Sequence, residues 1–555
     1  MQIGSWLATI VLFSGMLFST ARAADEILPT LVLTNDDTEI RASCIIQIPS
    51  GTVIEDRNTN GVIRIMEDGI RVRFASGSIL RGATNGAPWN LLRGVGIRID
   101  GHKNVVIENA KVHGFKNGLV ASAADGLVVS DGDFSDNYRQ RLKSDRQKES
   151  DDDWLYPHHN GQQKWRDEYG GAICIENSNN VIVRRIKVRR GQNGILLDRV
   201  ENSSIYDNDC SFLSGWGIAL WRSSHNKIQR NAFDFCIRGH VEGVYNRGQD
   251  SAGILCFEQS NENLFAENSA THGGDGFFGF AGHDAIGQTW WDAEKERLRQ
   301  QLKREPKDSE IQPPPELVRV LSAKGCNGNI LIDNDFSYAA AHGIELTFSE
   351  DNKIIRNRVV ENGICGFWGG YSSNTLIAEN DFQRNGGMSY SLERGAINME
   401  HAADNSILKN NFLNNKCAIH LWWDDDGVLM KFPGVAGNEK GVTGNVIAGN
   451  HFEINNNIDF KRLGDRTRLV ILQLRNSGKP QVHDNFYGKN DVTLRHPLAR
   501  EFALQDGCEL TDLAKTPKYD VPKYAPLGAT RPVGNRRDLR SRAWIQMNEW
   551  GPQEP

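Results

Sequence analysis

Long apolar runs, surplus positive charge and a cysteine framework are all missing from this 555-residue chain, and each absence removes a class of protein. Past residue 24 no apolar stretch approaches the ~20 residues of a membrane-spanning helix, so no membrane span is expected. A formal net charge of −6 leaves no basic face for broad nucleic-acid binding. Nine cysteines is an odd count; it argues against a disulfide scaffold and leaves room for one or two bridges. Cys174 and Cys256 stand third after a glycine, where leucine stands in other repeats, and read as small core residues. Hydrophobic residues make up only 39% of the chain, against 55 glycines. That balance suits a thin core of one or two apolar side chains per strand, with turns throughout.

What is present is a returning phrase, Gly-Ile-x-Leu followed by Asn-x-Ile-x-x-Asn. It reads Gly217-Ile218-Ala219-Leu220 with Asn226, Ile228 and Asn231, and again Gly343-Ile344-Glu345-Leu346 with Asn352, Ile354 and Asn357. Gly171, Gly194 and Gly217 follow one another at 23 residues, as do Gly253 and Gly276, and Gly343 and Gly366. A fixed period with two short β runs signals a solenoid whose repeats bury their apolar sides by stacking. The fold class expected is all-β: a parallel β-helix with loop insertions and one short helical insertion. Asn109, Asn208, Asn231, Asn268, Asn334, Asn357, Asn380 and Asn410 recur at one turn and predict a structural asparagine ladder.

Residues 1–23 read as an export signal. Trp6 to Phe18 forms an apolar run, and Ala21-Arg22-Ala23 offers a small-x-small cleavage site, although no basic residue follows Met1 closely. A secreted or periplasmic protein is expected. Residues 24–95 read as an N-terminal cap and first coils, 96–480 as the β-helix, and 481–555 as a C-terminal cap covering the open edge. Three segments exceed the period: Gly118 to Gly171, Gly217 to Gly253, and Gly276 to Gly343. The third contains Ala293 to Arg304, patterned as a short helix, before Pro313-Pro314-Pro315. Such insertions should wall a groove over one strand's outer face.

Side chains alternate along a strand, so the second and fourth residues after each glycine should face outward. The second column then holds Leu255, Phe278, Glu345, Trp368, Asn398 and His420, and the fourth holds Trp221, Phe257, Phe280, Thr347, Glu400 and Trp422. Asp275, His342 and His401 stand beside them. Glu345 and Glu400 are the candidate acid and base, with Asp275 and His342 as further catalytic candidates. Trp221, Trp368 and Trp422 would be sugar platforms, with Asn398, His401 and His420 as polar contacts. The bland alternative is that the aromatics pack under the insertions and the carboxylates are solvated. Two coils at ~4.8 Å place the backbones of Glu345 and Glu400 about 10 Å apart along the axis, plus a lateral shift, loosely compatible with an inverting pair and poor for a retaining one. Asp151-Asp152-Asp153 and Asp424-Asp425-Asp426 offer oxygens of the kind Ca2+ takes, without EF-hand spacing, but three adjacent acids on a loop are more often simply solvated. His283-Asp284 reads equally as a loop anchor or a catalytic pair. Arg184, Arg185, Lys187, Arg189 and Arg190 could meet an acidic polysaccharide or simply keep the coil edge from pairing.

These coils resemble the right-handed parallel β-helix (pectin-lyase-like) superfamily, and more narrowly exported bacterial β-helix proteins carrying a segment such as His272-Gly273-Gly274-Asp275-Gly276-Phe277-Phe278, with Asn334-Asp335-Phe336-Ser337 and Trp368-Gly369-Gly370-Tyr371. The resemblance implies the fold, over roughly 96–480, and action on carbohydrate; it transfers no catalytic residue, and the Asp-Pro-His signature of the epimerases is absent. The expected partner is a polysaccharide or oligosaccharide, cut by hydrolysis or by elimination, with the protein monomeric. One alternative is a glycan-binding surface protein. Another resembles a periplasmic copper-maturation β-helix protein, although seven Met and fourteen His form no close cluster.

Overall fold

The computed structural model describes residues 28–555 apart from 322, 389–391, 459–468, 478–480, 529–535 and 537. The export signal expected at 1–23 lies outside the described residues. The chain winds as a parallel β-helix. Among the described residues one sheet has 16 strands, from Thr30–Val32 to Leu510–Leu513, and a second has 15, from Thr38–Ile40 to Ala499–Leu504. A third, of five strands, runs from Arg358–Val360 to Asp491–Leu494. Coil strands therefore occur in the segments 24–95 and 481–555 as well as between them.

The core is built of parallel files of stacked side chains, one of which shows the principle. Ile218, Ile254, Phe277, Ile344, Phe367, Ile397, Ile419 and Leu472 lie directly above one another in the 15-stranded sheet. All belong to one buried cluster that extends from Leu33 to Ala499. Each such burial contributes about 1.5–3 kcal/mol against exposure. The glycine before each of the first five is explained by close approach between coils. A Cβ on Gly276 would stand 2.5 Å from the carbonyl oxygen of Gly343, and one on Gly343 would stand 2.7 Å from that of Gly366.

The asparagine ladder is continuous from Asn208 through Asn231, Asn268, Asn334, Asn357, Asn380 and Asn410 to Asn450. Each side-chain oxygen accepts the backbone N–H of the rung before it. Asn109 is a correction: Lys111 pairs onward through Asp133 to Lys187, which pairs with Asp209, so Ala110 shares the slot of Asn208. Asn109 instead takes the left-handed position before it, at φ 58°. Cys174 is a second correction. Ile173 pairs with Ile195 and Cys174 with Leu196, so Ala172 takes the glycine slot and Cys174 faces outward against Trp165 and Trp216. Cys256 does face the core. None of the nine cysteines is in a disulfide.

The predicted helical insertion forms Gln288–Leu302, with Pro315–Leu321 after it. No described helix is long and apolar enough to cross a membrane. Past the last coil strand, Leu510–Leu513, the described C-terminal tail leaves the sheet. It runs back along the solenoid flank: the Tyr519 hydroxyl donates to Glu379, Tyr524 to Asp333 and Glu267, Arg536 pairs with Asp209 and Asp234, and Trp550 meets Trp89 edge-on. Tyr, Arg and Trp supply the polar and aromatic anchors of a strap.

Candidate functional site

The outward columns of the 15-stranded sheet hold the residues predicted for them. Pairing places Ala219, Leu255, Phe278, Glu345, Trp368, Asn398 and His420 in one line. The other line contains Trp221, Phe257, Phe280 and Thr347, and further along Glu400 and Trp422. What lies over them differs along the axis. The first insertion brings Leu155, Trp165 and Tyr169 down onto Trp216, Trp221, Leu255 and Phe257. Trp221 is only 3% exposed, so a large aromatic that reads as a sugar platform sits under a roof. The helical insertion covers the next stretch, gathering Phe280, Phe348 and Tyr371 around Trp291 and Phe432. The two insertions meet where the His158 ring stacks on that of His283, 4.8 Å apart. His283 thus sits in an insertion contact, while Asp284 pairs with Arg222.

Beyond that roof, carboxyl groups converge. Asp275, His342 and Glu345 each bring one side-chain oxygen or nitrogen within 4.8 Å of the others. The Asp275 Oδ1 accepts the His342 backbone N–H at 2.7 Å. His342 Nε2 stands 3.9 Å from Glu345 Oε2 and 3.6 Å from Glu393 Oε2, and its ring stacks on Trp368. Arg247 Nη1 is 3.9 Å from Glu393. Asp275 is 3% and Glu345 7% exposed. Burial, reinforced by Asp275, pushes Glu345 well above the usual carboxylate range, and Arg247 pulls it back only in part. Burial raises Asp275 as well, against the pull of the His342 N–H. Asp250 nearby is pushed up to about 7 by burial. Burial, then the Arg247 charge, holds His342 well below the ordinary histidine value.

Two coils further on is a second group. Glu400 is partly exposed, and burial lifts it to about 8. Glu400, His401 and Asp424 also bring donor atoms within 4.8 Å of one another. His401 is bound on both ring nitrogens, at 2.8 Å to Glu439 and 3.2 Å to Asp424. Burial lowers it, but Glu439 and Asp424 outweigh this and raise it overall. Tyr371 stacks on its ring and donates to Asp426 at 2.9 Å. Gly370 leaves room here: a Cβ on it would lie 3.6 Å from Trp368 and 3.9 Å from Glu400 Oε2.

Of the six predicted substrate contacts, Trp368 is partly exposed, whereas Trp221, Asn398, His401, His420 and Trp422 are buried. Asn398 joins His420 to the Trp368 indole within the second column. Glu345, Asp275 and His342 are brought together; Glu400 stands apart with Trp368 on the coil between. Arg247, Asp250 and Glu393 escaped the sequence reading because they come from loops outside the repeat. The acidic triplets have internal partners: Asp153 accepts the Lys143 and Ser144 N–H groups, Asp152 pairs with Lys143, and Asp426 caps its own turn.

A family model described as "Right handed beta helix region" matches residues 35–285 and 320–432. No curated protein matches the chain. Among solved structures it is similar to the A-module of the Azotobacter vinelandii mannuronan C-5 epimerase AlgE4, at 12% identity over 87% of this chain and 91% of that one, TM-score 0.38. A thermostable alpha-1,3-glucanase catalytic unit from Streptomyces thermodiastaticus shares 9% identity over 82% and 66%, TM-score 0.36. The periplasmic alginate epimerase AlgG shares 9% over 81% and 78%, TM-score 0.32.

Proposed function

Since the chain belongs to the right-handed beta helix family, whose coils present a long ridged face, we propose that it binds a polysaccharide there and hydrolyses its glycosidic bonds between Glu345 and Glu400. One observation carries this reading: Trp368, partly exposed, stands on the coil between the Asp275–Glu345 cluster and a partly exposed Glu400 whose carboxyl burial lifts to about 8. An indole face takes the apolar side of a sugar ring. Two coils separate the carboxyl groups by about 10 Å along the axis, close to an inverting pair with a water between them.

In that arrangement Glu400 gives its proton to the glycosidic oxygen as the C–O bond breaks. A water held at the Asp275–Glu345 cluster attacks the anomeric carbon and leaves its proton on the one carboxyl there that the Arg247 charge keeps ionised, its neighbours staying protonated. The bond count closes with one water consumed. Asn398 and His420 position Trp368 from beneath. The export signal expected at 1–23 would carry the protein to polymers outside the cytoplasm.

The test is purified protein against neutral and acidic polysaccharides, reading new reducing ends together with the ultraviolet absorbance of unsaturated uronates. Reducing ends without absorbance, and a roughly 10²–10⁴-fold drop in kcat for Glu400→Gln, are expected. Absorbance would replace hydrolysis with elimination. Glycan binding with no new ends on any substrate would leave a non-catalytic binding protein.

A further inference from the structure

We infer that Asp275, His342, Glu345 and Glu393 form a binding site for one divalent first-row transition-metal ion. The inference deepens the hydrolytic reading above, since the ion would hold the attacking water, but its first test needs no substrate.

The cluster stands on more than accumulated acid. His342 is 1% exposed at its side chain, and among the described residues neither ring nitrogen has a hydrogen-bond partner. A buried imidazole must donate from at least one nitrogen, and an unmet donor costs about 1–3 kcal/mol. Its Nε2 nonetheless aims at two carboxylates, at 3.6 and 3.9 Å. Those separations exceed a hydrogen bond. Two atoms each about 2.1 Å from one shared ion lie about 3.0–3.8 Å apart at ordinary ligand angles; the 3.6 Å separation falls in that range and the 3.9 Å one just beyond it. Glu393 Oε2 is likewise buried without a hydrogen bond. Asp275, held at Oδ1 by the His342 backbone N–H, has its orientation fixed by the strand that carries His342. Asp275, His342 and Glu345 stand on adjacent rigid strands with donor atoms within 4.8 Å of one another, and the loop residue Glu393 faces His342 Nε2 as the fourth candidate.

Ligand type selects the ion. Three carboxylates alone would suit Ca2+ or Mg2+, which take oxygen. An imidazole among them shifts preference to Mn2+, Fe2+, Co2+ or Zn2+. A divalent charge also removes the repulsion among buried carboxylates that Arg247 offsets only in part. The Glu400–His401–Asp424 group differs, because both His401 nitrogens already have carboxylate partners.

The experiment is calorimetric titration of metal-stripped full-length protein with Zn2+ and Mn2+, alongside Co2+ monitored by visible absorption. One equivalent should bind, with a Co2+ spectrum showing nitrogen and oxygen ligation, and excess Ca2+ should not displace it. His342→Ala and Glu345→Gln should each weaken binding by at least the roughly 100-fold that loss of supporting groups reaches, while Glu400→Gln binds as the parent does. Circular dichroism checks that each variant folds; if His342→Ala does not, loss of the nitrogen-type Co2+ spectrum in His342→Gln serves instead. No transition metal bound to the parent, or Ca2+ outcompeting it, overturns the inference. Turnover by metal-free protein overturns the metal and spares the hydrolase; one tight equivalent with no turnover on any glycan does the reverse.

Discussion

The side-chain nitrogen of Asn398 donates to Nδ1 of His420, 2.8 Å away on the next coil, while its oxygen accepts the Trp368 indole N–H at 3.2 Å. Three outward residues on successive coils are thus joined edge to edge, and two of them are wholly buried. Neutral His420 is required, because Nδ1 must accept; burial and the Arg394 charge hold it at about 3.

Removing the middle of this chain should therefore hurt twice. Asn398→Ala leaves both Trp368 and His420 without partners and should cost about 1–3 kcal/mol of stability. Because Trp368 then loses its fixed orientation, KM for a glycan should rise more than kcat falls. Chemical denaturation and steady-state kinetics together check this; unchanged KM would detach Trp368 from binding.

Glu400 gives a pH prediction with a definite sign. Lifted to about 8 by burial, it is the proton donor only below that value. Turnover should fall as pH rises through about 8. The Glu400→Asp variant, with a shorter reach, should retain a weakened descending limb, whereas Glu400→Gln should remove the limb along with most of kcat. A descending limb that survives Glu400→Gln with parental kcat would assign the acid elsewhere.

Stability should respond to pH from both sides. His158, His272 and His420 are pushed by burial to about 3, 4 and 3. The unfolded chain takes their protons near 6.5, so their stabilisation is full above that pH and drains as pH falls. Asp198 and Glu258 go the other way, raised by burial to about 6 and 7. Their contribution is full below the unfolded carboxylate value and is lost as pH rises through 7. Three imidazoles outweigh two carboxyls until they are neutral in the unfolded chain as well, so a Tm maximum at about pH 7–7.5 follows; a Tm that climbs steadily to alkaline pH would contradict it.

The rungs of the ladder are equally testable. Asn357 accepts the Asn334 backbone and side-chain N–H groups and donates to the Leu331 carbonyl. Asn357→Ala leaves buried groups unmet on two coils and should cost about 1–3 kcal/mol. A loss below that range, measured by denaturant unfolding, would make the ladder decorative.

What the sequence disclosed and what it hid have one physical cause. Side-chain alternation and coil stacking are periodic, so Ile218, Ile344 and the outward line through Glu345, Trp368 and Asn398 could be read from spacing alone. Even so, a one-residue shift misled: Gly171 mimics the glycine slot that Ala172 fills, which reversed the facing of Cys174. Insertions obey no period. Their packing over Trp221, the loop placement of Arg247 and Glu393, and the partnering of His401 by Glu439 depend on long-range contacts that leave no local pattern. Glu345 could be named from its column, and Asp275 and His342 from standing beside it, but not the burial of that imidazole between carboxylates.

The strap formed by the tail provides the last test. Arg536 reaches Asp209 at 2.9 Å and Asp234 at 3.2 Å, and both carboxylates are buried. Arg189 also holds Asp209, but among the described residues Asp234 has no other ion pair. Breaking a buried pair from one side typically costs about 3–5 kcal/mol. Arg536→Ala should fall at the lower end, since Asp234 keeps the Ser269 and Thr271 hydroxyls. The tail's further polar anchors, Tyr519, Tyr524, Leu527 and Arg542 among them, are spaced along a segment with little sheet of its own, so its local release should precede global unfolding. Limited proteolysis should then clip Arg536→Ala within 514–555 under conditions that leave the parent intact and the coils of both uncut. Equal resistance in the two proteins would mean that apolar contacts, such as Ile545 against Phe212 and Phe235, hold the strap without the ion pairs.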